Sequence, residues 1–228
     1  MIRSTLGHAA LVIALSEEWR GRVLRICPTA KVEVLHNAVA IPERAGLRRL
    51  EAHEPTLLFL GHLLRDKGVY DLVRAFGLVA RRFPGLKLVL GGVGNIDEVR
   101  QLAAQLEIQE RVSCPGWLDP ERKTAALASS TIFILPSYAE GMPMALLEAM
   151  SWEMPVIVTP VGGIPQVVEN GVNGLLVAPG DIDGLAAAIR RLLEDTDLRE
   201  RLATAARATG ATLSRRPIAW LGSTITGR

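Results

Sequence analysis

Thr131-Ile132-Phe133-Ile134-Leu135-Pro136-Ser137-Tyr138-Ala139-Glu140-Gly141-Met142-Pro143-Met144-Ala145-Leu146-Leu147-Glu148 reads as a strand, a polar turn and the opening of a helix. The apolar run Thr131 to Leu135 ends at Pro136, which donates no ladder hydrogen bond. Pro143 suits the first helical position, where a missing N–H costs nothing, so a helix is expected from about Pro143 to Met150. The amides of its first turn, from Met144 and Ala145, lack intrahelical acceptors and carry the positive end of the dipole, so an anion such as a diphosphate fits against them. Glu148 follows just over one turn further in, where a carboxylate can accept two hydrogen bonds from a vicinal diol, while Glu140 on the loop can reach a second polyhydroxylated group. Two glutamates at this spacing also arise by chance in any helical chain, so the surrounding segments decide the reading.

Outward from this segment, short apolar runs alternate with helical patterns, the signature of a parallel sheet covered on both faces. The expected class is α/β, a Rossmann-like doubly wound sheet. Strands are predicted at Leu11 to Leu15, Lys31 to Leu35, Thr56 to Leu60, Lys87 to Leu90, Arg111 to Cys114, Thr131 to Leu135, Val156 to Thr159 and Gly174 to Val177. Leu72, Val73, Phe76 and Val79 recur at helical spacing, as do Leu185, Ile189, Leu192 and Leu193, and both sets read as core faces. Ala10 to Leu15 followed by Ser16-Glu17-Glu18-Trp19 reads as a strand running into a helix capped by Ser16, in preference to a signal-peptide hydrophobic region.

Composition bounds the function. The 228 residues, 49% hydrophobic and 22% charged, supply one main core. Formal net charge is +2, and the 26 basic residues are interleaved with 24 acids, which argues against nucleic acid as a partner. Cys27 and Cys114 are too few for a disulfide framework and match no metal or redox spacing, which fits a reduced, cytoplasmic setting. No apolar run approaches the ~18 residues of a membrane span.

Ligands of a doubly wound sheet sit outside the carboxyl ends of its strands. Four loops there carry unusual chemistry. Gly61-His62-Leu63-Leu64-Arg65-Asp66-Lys67-Gly68 is a flexible basic loop into which a diphosphate could settle. Gly91-Gly92-Val93-Gly94-Asn95 opens a helix but lacks the dinucleotide fingerprint, since the expected third glycine falls on Asp97; a dehydrogenase is set aside. Cys114-Pro115-Gly116-Trp117 offers an indole that either stacks on a ligand or packs half-buried. The Glu140 segment is the fourth.

With Ser137-Tyr138-Ala139 before it, Glu148-Ala149-Met150 after it, and Pro155-Val156-Ile157-Val158 and Val161-Gly162-Gly163-Ile164-Pro165 downstream, the Glu140 segment closely resembles the donor-binding half of retaining glycosyltransferases of the GT-B fold, family 4 (glycosyl transferases group 1). The resemblance covers roughly residues 11 to 210. It implies transfer of a sugar from a nucleotide-diphosphate donor to a hydroxyl acceptor with retention at the anomeric carbon, with no cofactor or metal. By this likeness Lys67 and Glu140 are the catalytic candidates: Lys67 takes up charge on the leaving diphosphate, and Glu140 orients the donor sugar. Gly61, His62, Arg65, Gly92, Gly94, Trp117, Gly141, Met142, Met144, Ala145 and Glu148 are the donor-binding candidates, with Glu148 on the ribose and Trp117 facing the base.

This sequence departs from the family at several positions. His62 stands where the family has an arginine, and an imidazole is only partly charged near neutral pH, so either Arg65 substitutes or the leaving group is less stabilised. Gln166 replaces an acid, and Glu153 a glycine. Relatives also carry an amino-terminal domain that binds the acceptor. Residues 1–40 resemble only its final unit and the interdomain crossing, 41–55 a linker, 56–210 the donor-binding domain and 211–228 a tail crossing back. The acceptor, a glycan or lipid, would then be held by a missing amino-terminal domain or a partner subunit, with room for peripheral contact at the inner face of a membrane. A nucleotide-sugar-binding module without turnover, a truncated inactive paralogue, and an epimerase or phosphorylase of the same architecture are the alternatives.

Overall fold

The computed structural model describes residues 1–35, 37, 39–42 and 54–214. Most of the expected linker, His36, Ala38 and all but the first four residues of the expected tail lie outside them. Residues 211–214 continue the last helix, past the boundary expected at 210.

Among the described residues two parallel sheets carry the fold. The small one pairs β1 (Val12–Ala14) with β2 (Val32–Val34), and between them runs α2 (Glu17–Ile26), preceded by α1 (Ile2–His8). Ser16 caps α2 as expected: its hydroxyl accepts from Trp19 N at 3.3 Å, and Glu17 and Glu18 fill the first turn.

The large sheet comprises β3 (Thr56–Leu60), β4 (Lys87–Gly91), β5 (Val112–Gly116), β6 (Ile132–Leu135), β7 (Val156–Val158) and β8 (Leu175–Leu176). They lie side by side in the order β5-β4-β3-β6-β7-β8, all parallel. The helices α3 (Val69–Ala80), α4 (Ile96–Gln105), α5 (Pro120–Ser129), α6 (Met144–Ser151), α7 (Ile182–Glu194) and α8 (Thr196–Ser214) connect or follow these strands. Every residue of β6 and β7, and all but the first of β3, is buried, as strands covered on both faces must be. Leu72, Val73, Phe76 and Val79 of α3 and Leu185, Ile189 and Leu192 of α7 are buried in the same core, as their spacing predicted.

The strands fall where the sequence put them, shorter by a residue or more at several ends. The fifth instead begins at Val112 and runs on to Gly116, so the Cys114-Pro115-Gly116 stretch read as loop is strand end. Pro143 is also one place off: it is the N-cap of α6, with extended φ −70° and ψ 122°, and Met144 is the first helical residue.

The chain runs outward from β3 to β4 and β5, then returns to the other side of β3 with β6 and continues to β8. The winding direction therefore reverses between β3 and β6, and the loops leaving these two strands diverge over a crevice at their carboxyl ends. Those loops are Gly61–Gly68 and Pro136–Pro143. Among the described residues no helix is long and apolar enough to cross a membrane.

Candidate functional site

At that switch point two distant residues meet. Lys67 closes a single 3₁₀ turn, Arg65–Lys67, and its Nζ donates to Glu140 Oε1 at 2.8 Å and to Ala139 O at 3.3 Å. Ser137 Oγ donates to the same carboxylate oxygen at 2.7 Å, and Thr159 Oγ1 fixes Ser137 through its carbonyl at 2.5 Å. Glu140 is only 10% exposed and Lys67 22%, so the pair is mostly shielded from solvent. A lysine carries three donors and no acceptor, hence Lys67 can hold Glu140 and still donate to an anion.

Backbone contact keeps the two loops together. Tyr138 N donates to Asp66 O at 2.8 Å. Gly68 has φ 67°, and a Cβ there would sit 2.0 Å from Pro136 O; no other residue allows the β3 loop to press so closely on the β6 loop. Gly162, after β7, supports Glu140 in the same way, with φ 58° and Glu140 O 1.8 Å from where a Cβ would be.

A cleft of about 430 Å³ opens at this pair, lined by Lys67, Glu140 and Gly141 on one side and by Glu18, Trp19 and Arg22 of α2 on the other. The small sheet's helix therefore forms a wall of the crevice. Next to the cleft, α6 begins without a side-chain cap, leaving the first-turn amides of Met144 and Ala145 without an intrahelical acceptor. Met144 is 41% exposed, whereas the Met142 side chain is buried and its carbonyl is taken by Asn37 Nδ2 at 2.8 Å. Met142 thus has its side chain in the core and its carbonyl on the chain crossing from the small sheet.

The remaining candidates lie around this centre in three places. Arg65 leans over the Tyr70 ring at 4.6 Å and pairs with Glu98 at 3.3 Å, so its guanidinium is engaged by α3 and α4. Tyr70 OH donates to Glu98 Oε2 at 2.8 Å and accepts from Asn95 Nδ2 at 3.2 Å; burial, more than the neighbouring Glu98, pushes its phenol above its ordinary range. His62 is exposed on the β3 loop. Gly61, Gly92 and Gly94 form the seam between the β3 and β4 loops, where Leu63 N donates to Val93 O at 2.8 Å and Asn95 N to Leu63 O at 2.9 Å. Gly94 also lines a wider, open cavity of about 610 Å³ with Glu98, Arg100 and Gly116. Trp117 is 71% exposed beyond β5, not half-buried in packing.

Glu148 is held by a different lysine. Its Oε1 accepts from Lys123 Nζ of α5 at 2.6 Å. Sequence reasoning did not find Lys123, because nothing local marks a helical lysine as the partner of a glutamate 25 positions away. It also missed Ser137, although a serine three residues before Glu140 was legible, and the wall contributed by α2, which was not. Among the described residues no group of three or more His, Cys, Asp or Glu side chains is arranged to hold a metal ion.

The family model described as "Glycosyl transferases group 1" matches residues 47–209. An uncharacterised glycosyltransferase of Methanocaldococcus jannaschii is 30% identical over 204 residues, covering 83% of this chain and 52% of the relative. The glycogen synthase of Mycobacterium tuberculosis is 32% identical over 180 residues, 78% of this chain and 44% of the relative. Sucrose-phosphate synthase from Thermosynechococcus elongatus superimposes with a TM-score of 0.83 at 26% identity, over 98% of this chain and 59% of that one. The chain spans about half the length of the curated relatives it matches.

Proposed function

Because the chain belongs to the glycosyl transferases group 1 family, we propose that it is the donor-binding, carboxyl-terminal half of a retaining glycosyltransferase of family 4, taking a nucleotide-diphosphate sugar as donor. The observation that carries this is the Lys67–Glu140 pair at 2.8 Å, at the switch point of the large sheet and beside the uncapped start of α6.

In this reading the diphosphate lies against the Met144 and Ala145 amides, with Lys67 donating to the oxygen that gains charge as the sugar departs. Fixed donors aimed at developing charge are the electrostatic contribution usually worth most in such chemistry, and each charged hydrogen bond contributes ~1.5–3 kcal/mol. Glu140, held by Lys67 and Ser137, faces the donor sugar and supports positive character at the anomeric carbon. Glu148 takes the ribose diol. The acceptor, a glycan or lipid hydroxyl, approaches across the cleft walled by α2, held by a domain or subunit beyond these residues, and the setting is cytoplasmic.

One observation favours a second reading, a nucleotide-sugar-binding module without turnover. His62 stands where an arginine is expected, and Arg65 is engaged by Glu98 and Tyr70, so among the described side chains Lys67 is the one cation in ion-pair contact with Glu140.

The test is the thermal unfolding midpoint with UDP, GDP, ADP and dTDP and their common sugars, on the native chain and on Lys67→Ala and Glu148→Ala. At ligand near a hundred times its dissociation constant the gain is ~2.7 kcal/mol, about 5–10 °C for a domain of this size. A shift with one base family, lost in both variants, is the expected result. A folded protein with no shift for any nucleotide sinks the donor-site reading. Binding without transfer, once an acceptor-binding half is supplied, selects the module.

A further inference from the structure

Glu148 is expected to hold a diol, yet one of its two oxygens is already taken. Lys123 Nζ sits 2.6 Å from Glu148 Oε1, while no bond to Oε2 is made among the described residues. Neither partner is freely solvated: the Lys123 side chain is 34% exposed and that of Glu148 23%. The pair also joins two helices that flank β6 in the chain, since α5 leads into that strand and α6 leaves the loop after it.

A carboxylate at the end of a glutamate side chain rotates broadly about its last torsion. Binding a diol through it therefore means ordering it, which subtracts from affinity. An ammonium fixed to Oε1 orders it in advance and leaves Oε2 to accept from a hydroxyl.

We propose that Lys123 is a positioning residue for the donor nucleotide, holding Glu148 by one oxygen so that the other receives the ribose hydroxyls and the site discriminates ribose from deoxyribose. This rests on reading Glu148 as the diol ligand. A site built to hydrogen-bond a hydroxyl rejects the analogue without it, because its polar groups are then left unpaired. Lys123 would thereby set selectivity for the sugar of the nucleotide without touching the reacting atoms.

The experiment compares dissociation constants, by calorimetry, for UDP, GDP and ADP with those of their 2′,3′-dideoxy counterparts. It uses the native chain, Glu148→Gln, Lys123→Met and Lys123→Arg, with the unfolding midpoint of each variant confirming that it folds. The native chain should prefer the ribonucleotide by about ten- to a hundredfold. Glu148→Gln should abolish most of that preference. Lys123→Met should reduce it about tenfold while leaving dideoxynucleotide affinity unchanged, and Lys123→Arg should restore it. If Glu148→Gln loses the preference and Lys123→Met keeps it, the positioning role is overturned and the Glu148 reading survives. Equal weakening of ribo- and dideoxynucleotide binding by Lys123→Met would make the lysine a general charge contact and also overturn the proposal. A native chain that binds both alike, or binds no nucleotide, overturns the Glu148 reading together with it.

Discussion

Lys67 and Glu140 neutralise each other in a place that is only partly wet. Removing one member of such a pair strands the other, and the penalty exceeds what the intact pair contributes. Lys67→Met should therefore destabilise the chain by about 1–3 kcal/mol, less than for a fully buried pair because Ser137 still donates to Glu140. The double variant Lys67→Met/Glu140→Gln should recover at least half of that loss in chemical denaturation while failing to bind nucleotide. Additive losses would mean that the contact is electrostatically idle. Of these residues, the sequence disclosed the chemistry and the loops. That the ammonium and carboxylate touch, across 73 positions, depends on which strands are neighbours.

Two helices end in the same way, and both endings carry an ill-suited residue. After α4, Glu107 N donates to Ala104 O and Ile108 N to Ala103 O, at 3.0 and 2.9 Å. After α6, Glu153 N donates to Met150 O and Met154 N to Ala149 O, both at 3.1 Å. These are the paired bonds of a helix closed by a left-handed residue, and both glutamates have φ 59°. A side chain in that conformation costs roughly 1–2 kcal/mol, which glycine avoids. The structure thus supplies a physical reason for a glycine at position 153: the bend, not the ligand, needs it. Glu107→Gly should raise stability by about 0.5–1 kcal/mol, part of the relief being lost to the greater freedom of glycine in the unfolded chain. Glu153→Gly should gain less, since its carboxylate accepts from Thr204 at 3.3 Å and lies 4.0 Å from Arg207. Unfolding midpoints of the two variants check both the sign and the order. At this scale α3 and α7 were legible from apolar spacing and Ser16 from its capping chemistry, but the ends were not. Pro143 fell at the cap instead of the first turn: its fixed φ of −70° suits both positions, and the extended ψ of 122° that separates them is not written in the residue itself.

The two sheets meet beside the candidate site. Asn37 donates to Met142 O at 2.8 Å, Glu17 N approaches Gln166 Oε1 at 3.5 Å, and Arg207 joins Ser151 O and Pro42 O, each at 2.7 Å. Such bonds tie the small unit to the large sheet, and removing one lowers the cost of local opening relative to global unfolding. Asn37→Ala should accelerate proteolytic cleavage within residues 1–42 by about five- to tenfold, with the midpoint of the large sheet's unfolding little changed. Equal cleavage rates in native and variant chains would show that other contacts fix the unit. The same loosening should lower nucleotide affinity, because Met142 lies in the loop between Glu140 and α6.

By itself the sequence determined the α/β class, the strand positions to within a few residues, the loops that carry Lys67 and Glu140, and the helix that carries Glu148. Those features follow from local physics: apolar period, proline and glycine punctuation, and capping hydroxyls act within a few residues of themselves. Tertiary structure alone decided that β6 lies against β3, so that the crevice falls between the Lys67 and Glu140 loops. It also decided that α2 walls the cleft, that Arg65 goes to Glu98, and that Lys123 holds Glu148. Strand order is set by packing helices on both faces of the sheet, which no short stretch of residues encodes.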